Sequence, residues 1–441
     1  MKNRFKITVI LIIALLFVTL YYYPRTPQTH NPQNNQTDDE TTVKIAVTYE
    51  KLAENVELFP HPVSEEKITS LVELAEKEIN QYCTDNQIET RFTFIPTPII
   101  HNGGTSPGEN PPGLDEMIQL NQSGINLIVG HDYSQANHYS LQYANEHQML
   151  LLSPSGVGLG LSKPNDYLYK LMPNEYENPE VYEKVYAQMI KELGYTAFIT
   201  INTGRRSFYP NVIEETAKVL NYSYRTTLVE YDINSDDFEP YLERAAGYLI
   251  DTIEVYGIEN VCVLIEPLWG EKDVFLDVAN RYPILSNVTW FDYVGLSEEW
   301  IVENEFDQRL AEYGFTRLIM YPADSAQADV FYQKYVEEVG EIPTPSRVYD
   351  EAARYDACWL MALSVLQANS SNPEAVKAVL PMICSSYEGV LGNCSLNEYG
   401  DRVSTDYRVF TWENDDGEVF FKDSCYYNST NHSFIYYPED K

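Results

Sequence analysis

Residues 125–156 read INLIVGHDYSQANHYSLQYANEHQMLLLSPSG, and no other stretch restricts the fold as strongly. INLIV is a short apolar run of the kind that a fully buried strand uses. From Ser134 to His147 the pattern turns helical, with Tyr139, Tyr143 and Ala144 on one face and Ser134 placed to act as N-cap. MLLLS then resumes the buried-strand pattern, which Pro154 and Gly156 break. Strand, helix and strand in that order imply a parallel pair. The two polar loops, Gly130–Ser134 and Ser153–Val157, then fall at strand C-terminal ends, where open α/β sheets bind ligands.

The alternation continues along most of the chain. VKIAVTY (43–49) reads as a strand, and SEEKITSLVELAEKEINQY (64–82) as an amphipathic helix capped by Ser64 with an acidic first turn. RFTFIPTPII carries prolines and so belongs near a sheet edge. YLYKLMP (167–173) is extended, TAFITI (196–201) is a buried strand, and NVCVLIEP (260–267) is another, with helical patterns between them. The fold class is therefore α/β, with mainly parallel sheets covered on both faces. A single sheet of so many strands would be very wide, so two lobes are expected.

The N-terminus sets the compartment. MKNRFK is basic, and Ile7–Tyr23 is an almost unbroken apolar run with no small-residue cleavage pattern after it. At about 1.5 Å per residue it reaches roughly 25 Å, enough for an upright membrane helix. It reads as an uncleaved anchor with the rest of the chain outside the cell, or as a secretion signal if it is removed. PRTPQTHNPQNNQTDDETT (24–42) has no core-forming residue and reads as a tether. With 66 acidic against 30 basic residues the chain repels phosphate backbones, which argues against nucleic-acid binding. An extracytoplasmic body permits glycosylation at the Asn-x-Ser/Thr positions 35, 121, 221, 287, 369, 393, 428 and 431. It also favours a disulfide between Cys384 and Cys394, which bracket the turn-rich SSYEGVLGN, while Cys262 and Cys358 read as buried core thiols.

Catalytic signatures are missing. The chain has no Gly-x-Ser-x-Gly, no His-Glu-x-x-His and no Walker loop. GVGLGLSKP follows a strand, but Pro164 blocks the helix that a dinucleotide loop must open. His138 and His147 stand about 13 Å apart along one helix, too far to share a metal with His131. Neither an enzyme nor a cofactor or metal is expected.

Taken together, the blocks GINLIVGHDYSQANHYSLQYANEHQMLLLSPSG, FYQKYVEEVGEIPTP, YDEAARYDACWLMALSVLQA and YEGVLGNCSLNEYGDRVSTDYRVFTW resemble one family in order and spacing. It is the type I periplasmic binding proteins of the branched-chain amino-acid (Leu/Ile/Val) class, the extracytoplasmic solute receptors of ABC importers. The resemblance spans roughly 43–417. It implies two α/β lobes joined by three crossovers, closing on a small solute. After an anchor at 1–23 and a tether at 24–42, lobe 1 would comprise 43–172 and 296–386. Lobe 2 would comprise 173–295 and be completed by 387–441.

The resemblance also implies a site. Ser134, Ser155, Gly156 and Val157 would hold a polar group of the solute, with Val157 standing where many relatives have a hydroxyl. From the other lobe, Tyr209 (or Phe208 in an alternative register) would contact it, Trp269 would stack on it, and Asp292 would receive an ammonium. The implied partners are an amino-acid- or amide-like solute and an ABC permease. The alternative is a ligand-sensing ectodomain that signals through a separate membrane partner, since the same fold serves receptors.

Overall fold

The computed structural model describes residues 42–52, 64–101, 111–158, 160–174, 182–203, 225–232, 235, 237–266, 272–292, 298–303 and 306–437. The proposed anchor and residues 24–41 of the proposed tether lie outside these residues, while Thr42, expected to end the tether, instead opens the first strand. Among the described residues no helix is long and apolar enough to cross a membrane.

The first sheet is built from β1 (Thr42–Leu52), β2 (Arg91–His101), β3 (Leu127–Val129), β4 (Leu150–Ser153) and β5 (Leu168–Lys170). Its order is β2-β1-β3-β4-β5, and every pairing is parallel. Proline-bearing β2 takes an edge, as its sequence requires. The apolar runs are explained by burial on both faces. Ile45, Val47, Leu127, Val129, Leu150 and Leu152 enter one core, while Ala46, Ile128 and Leu151 enter a second on the opposite side. Helices α1 (Glu65–Asp85), α2 (Leu114–Gln122) and α3 (Ser134–His147) connect these strands. Ser64 caps α1 by accepting from the Lys67 amide.

The second sheet contains β6 (Ala197–Thr203), β7 (Arg225–Tyr231), β8 (Val261–Glu266), β9 (Trp290–Asp292) and β10 (Thr316–Tyr321). Around it stand α4 (Tyr182–Glu192), α5 (Glu239–Tyr256), α6 (Lys272–Ala279), α7 (Glu298–Glu303) and α8 (Asp307–Glu312). These strands run parallel in the order β7-β6-β8-β9-β10. The sheet then continues antiparallel through β13 (Asp406–Asp415), β14 (Glu418–Asn428) and β15 (Ser433–Tyr436). It is therefore mixed rather than wholly parallel: β13 returns antiparallel to β10 after a long excursion of the chain, and β14 and β15 follow it as consecutive hairpins that need no helical crossover.

Between β10 and β13 the chain returns to the first sheet. Helices α9 (Ala326–Val339), α10 (Pro345–Ala368) and α11 (Pro373–Ser386) cover its first core, followed by the short pair β11 (Glu388–Gly389) and β12 (Gly392–Asn393). This corrects the expected boundary at residue 296. Thr316 and Arg317 pair with Phe291 and Asp292, and Ile301, Phe306, Leu310 and Phe315 are buried in the second sheet's core. The chain stays with the second sheet through Tyr321 because these apolar side chains have their burial there.

The family-like blocks after residue 350 now have physical explanations. The Asp356 carboxylate accepts from Tyr387 Oη (2.8 Å) and from the amides of Val390 (3.1 Å) and Leu391 (2.8 Å), so YEGVL closes onto α10. A side chain at Gly389 would lie 2.4 Å from Asp356 Oδ1. In NEYGD, Asp401 pairs with Lys170 at the end of β5 at 2.6 Å, with the two side chains 3% and 0% exposed. The expected Cys384–Cys394 bridge is absent. All six cysteines are buried free thiols, and Cys394 Sγ is directed instead to the Gly392 carbonyl at 3.6 Å. Burial pushes the Cys394 thiol up to about 12.

Candidate functional site

In the order β2-β1-β3 the chain reverses direction of growth between β1 and β3, so the loops after these strands diverge and leave a crevice. The loop after β3 is held by a compact polar network. Gly130 has φ +133°, and a Cβ there would lie 1.7 Å from Thr48 Oγ1. The fully buried His131 ring places Nδ1 2.9 Å from Thr48 Oγ1 and Nε2 3.0 Å from Ser140 Oγ. Its carbonyl accepts from Ser153 Oγ (2.5 Å) and Asn137 Nδ2 (2.8 Å), and Ser153 Oγ in turn accepts from the Gly156 amide at 2.9 Å. GHDYS and SPSGV, the two loops singled out in the sequence, are thus tied into one unit. Gly156 is needed by contact rather than by dihedral, since a Cβ there would lie 1.9 Å from Asn137 Nδ2.

Ser134 is half-buried and opens α3 as its first helical residue. The N-cap is Tyr133, with no side-chain capping bond, so the expected capping role of Ser134 is not observed. Its hydroxyl has no hydrogen-bond partner among the described residues and faces Gly158, whose added Cβ would lie 3.5 Å from Ser134 Oγ. Val157 is buried. Ser155 Oγ donates to the Asp132 carbonyl at 3.4 Å and hydrogen-bonds the Asp350 carboxylate. On the second sheet, Asp292 ends β9, and its backbone pairs with Ile265 and Arg317. The Asp292 side chain, Tyr209, Phe208 and Trp269 lie outside the described residues.

The structure adds residues that the sequence reading missed. Beside Ser155 lies a cavity of about 30 Å³ bordered by Glu50, Asp132, Tyr133, Arg347, Asp350 and Arg354. Arg354 donates to Asp132 Oδ2 (2.8 Å) and to the Thr48 carbonyl (3.2 Å), and the Tyr133 amide donates to Glu50 Oε1 at 3.2 Å. Desolvation raises the Asp350 carboxyl to about 6 and the neighbouring Glu351 carboxyl to about 7. Arg354 is held above its ordinary value: burial opposes its charge, but Asp132 and Glu351 outweigh it. The available signal was spacing. Arg347, Asp350, Glu351 and Arg354 fall on one face of a helix otherwise rich in alanine. Glu298 on α7 accepts from the Ser346 amide (3.1 Å) and from Arg317 (3.4 Å), linking the start of this helix to the second sheet. A larger cavity of about 440 Å³ lies between α9, α10 and β11, walled by Phe331, Tyr355, Trp359 and Tyr387, and the strand-end loops do not border it.

The order of strands and the strand-end crevice define a class, the type I periplasmic-binding-protein fold, and the comparisons agree with it. A family described as the receptor family ligand binding region matches residues 259–415. No curated protein matches the chain. An ABC transporter substrate-binding protein from Desulfitobacterium hafniense, solved with Leu, superposes with a TM-score of 0.60 at 16% identity, covering 86% of this chain and 100% of that one. The branched-chain amino acid transporter substrate-binding protein LivJ from Streptococcus pneumoniae, solved with isoleucine, gives 0.58 at 16%, covering 87% and 100%. The leucine-, isoleucine-, valine-, threonine- and alanine-binding protein from Brucella ovis gives 0.61 at 16%, covering 89% and 96%. The resemblance read from the sequence is borne out: the chain is similar in fold to solute-binding proteins of the branched-chain amino-acid class.

Proposed function

We propose that this chain is an extracytoplasmic solute-binding protein that captures a small polar solute and delivers it to an ABC importer. The observation that carries the reading is the union of the GHDYS and SPSGV loops at the C-terminal edge of the first sheet, beside the β1/β3 reversal. The Ser134 hydroxyl, with the amides that open α3, offers donors to a carboxylate or carbonyl oxygen of the solute. Ser155, Gly156 and Val157 line the same approach, and Tyr209, Trp269 and Asp292 complete it from the second sheet. Ile7–Tyr23 holds the protein at the outer face of the membrane. The solute is of the amino-acid or amide type, in keeping with the ligands named for the structural relatives.

Thermal-shift and calorimetric screening of the full chain against amino acids, amides and short peptides tests this. A ligand found in that way should bind Ser134→Ala roughly ten- to a hundred-fold more weakly, the cost of one buried hydrogen bond. Unchanged affinity in the combined Ser134→Ala, Ser155→Ala and Tyr209→Ala variant refutes the assignment.

A further inference from the structure

We infer that the cavity of about 440 Å³ between α9, α10 and β11 is a second small-molecule site, which takes an uncharged aromatic compound with one hydrogen-bond donor, of the phenol or indole type. The inference stands apart from the solute-binding reading, because Ser134, Ser155, Gly156 and Val157 do not border this cavity. Size, lining and charge balance support it.

The volume lies in the range of small-molecule pockets, which begins at about 300 Å³. On one wall, Ala326, Val330, Phe331 and Lys334 share a face of α9 at helical spacing. On the next, Tyr355 and Trp359 stand one turn apart on α10, and Tyr387 and Val390 flank β11 on the third. Four of these side chains are aromatic. The Phe331 and Tyr355 rings lie 4.8 Å apart between centroids, and Tyr82 on α1 meets Trp359 at 5.8 Å, nearly perpendicular. A ring placed among them gains aromatic contacts beyond the area it buries. Tyr355, Trp359 and Tyr387 are only half-buried, and Val330 is 48% exposed. A concave apolar surface left open to water in this way marks an interaction site.

The polar atoms of the rings point to an apolar ligand body, since the protein itself engages them. The Trp359 indole donates to Tyr355, Tyr355 Oη donates to Glu78, and Glu78 also accepts from Lys334. Tyr387 Oη donates to Asp356 at 2.8 Å, and the same carboxylate holds the amides of Val390 and Leu391. These bonds fix the rings before any ligand arrives, which lowers the cost of binding. Gly389 completes the preformed wall, because a Cβ there would lie 2.2 Å from Tyr387 Cε1.

Charge sets the remaining chemistry. The lining carries one cation, Lys334, and one anion, Glu388, so it favours neither sign. Lys334 is paired with Glu78, whereas Glu388 is exposed at the rim and accepts from Asn393 Nδ2 at 3.1 Å. With the exposed Gln327 beside the same opening, Glu388 offers an acceptor for one O–H or N–H at the edge of a bound ring.

The test is calorimetry on the full chain with 2-naphthol, indole and decahydro-2-naphthol, which keeps the skeleton and hydroxyl of 2-naphthol without its aromatic rings. The two aromatic probes should bind at one saturable site, and decahydro-2-naphthol should bind about tenfold more weakly than 2-naphthol. Val330→Trp places a ring from an exposed wall position into the cavity and should weaken 2-naphthol by at least about tenfold. Trp359→Leu should weaken it by about tenfold, and Ser134→Ala should leave it unchanged. If Trp359→Leu fails to fold, Val330→Trp decides. Equal affinity for the saturated alcohol overturns the aromatic class. Binding of 2-naphthol that survives Val330→Trp, or that Ser134→Ala weakens, overturns the site, as does the absence of saturable binding by every probe. Each of these results leaves the solute-binding reading standing.

Discussion

Replacing Gly156 by alanine tests whether the two strand-end loops act as one unit. The new methyl would start 1.9 Å from Asn137 Nδ2, 2.7 Å from Ser153 Oγ and 2.9 Å from the His131 carbonyl. Asn137 and Ser153 are fully buried, and the carbonyl belongs to the backbone leaving β3, so no neighbour can swing into solvent. Relief requires breaking two or three of the bonds by which His131, Asn137 and Ser153 hold one another. At about 1–3 kcal/mol for each buried group left unpaired, the variant should lose about 3–5 kcal/mol. The assay is urea unfolding of the full chain followed by circular dichroism, reading the first transition. Gly158→Ala is the control, because its methyl meets nothing closer than Ser134 Cβ at 3.1 Å, with Leu161 Cδ1 at 3.4 Å and Ser134 Oγ at 3.5 Å, at a half-buried position. It should change stability by less than about 1 kcal/mol and weaken ligand binding instead. A Gly156→Ala protein within about 0.5 kcal/mol of the unmodified chain would refute the view that the loops are locked together.

Three further outcomes are expected. Lys170→Met leaves Asp401 buried without its cation and should cost about 3–5 kcal/mol, which a compensating Asp401→Leu change should largely restore in a double-mutant cycle. Burial raises Glu351 from 4.5 to about 7, so its contribution to stability is fully present below about pH 4.5 and is lost as pH climbs to about 7. The melting temperature should fall across that window, and Glu351→Gln should flatten the fall; an unchanged slope would show that Glu351 is not the titrating group. Thiol titration should find six free cysteines after denaturation and essentially none before it, whereas four would mean that Cys384 and Cys394 are bridged.

Local physics made much of this legible in advance. The continuous apolar runs INLIV, MLLLS and NVCVLI announced strands covered on both faces, the prolines of RFTFIPTPII announced an edge, and Ser64 announced a helix start. GHDYS and SPSGV could be placed at strand ends because a strand–helix–strand unit has only one economical way to close. What the sequence left open depended on contacts between distant segments. The run around Thr316–Tyr321 has the same composition whichever sheet it joins, and only pairing with β9 assigned it to the second. Ser134 has the chemistry of a cap, yet the backbone already makes it the first helical residue and leaves the cap position to Tyr133. Cys384 and Cys394 lie at a spacing that permits a bridge, and only the folded chain shows both as buried free thiols, with Cys394 Sγ directed to the Gly392 carbonyl.

The charged face of α10 shows most plainly where reading a sequence stops. Arg347, Asp350, Glu351 and Arg354 have the spacing of a solvated helix surface as much as of a buried one. The return of the chain from the second sheet packs this helix over the ends of β1, β3 and β4, where Asp132 and Thr48, more than 200 residues earlier, meet Arg354. Periodicity and turn chemistry, being local, were set by the sequence alone. The environment of each charge, and with it the chemistry of the subsite, came from tertiary contacts, because desolvation depends on every segment that folds over a group.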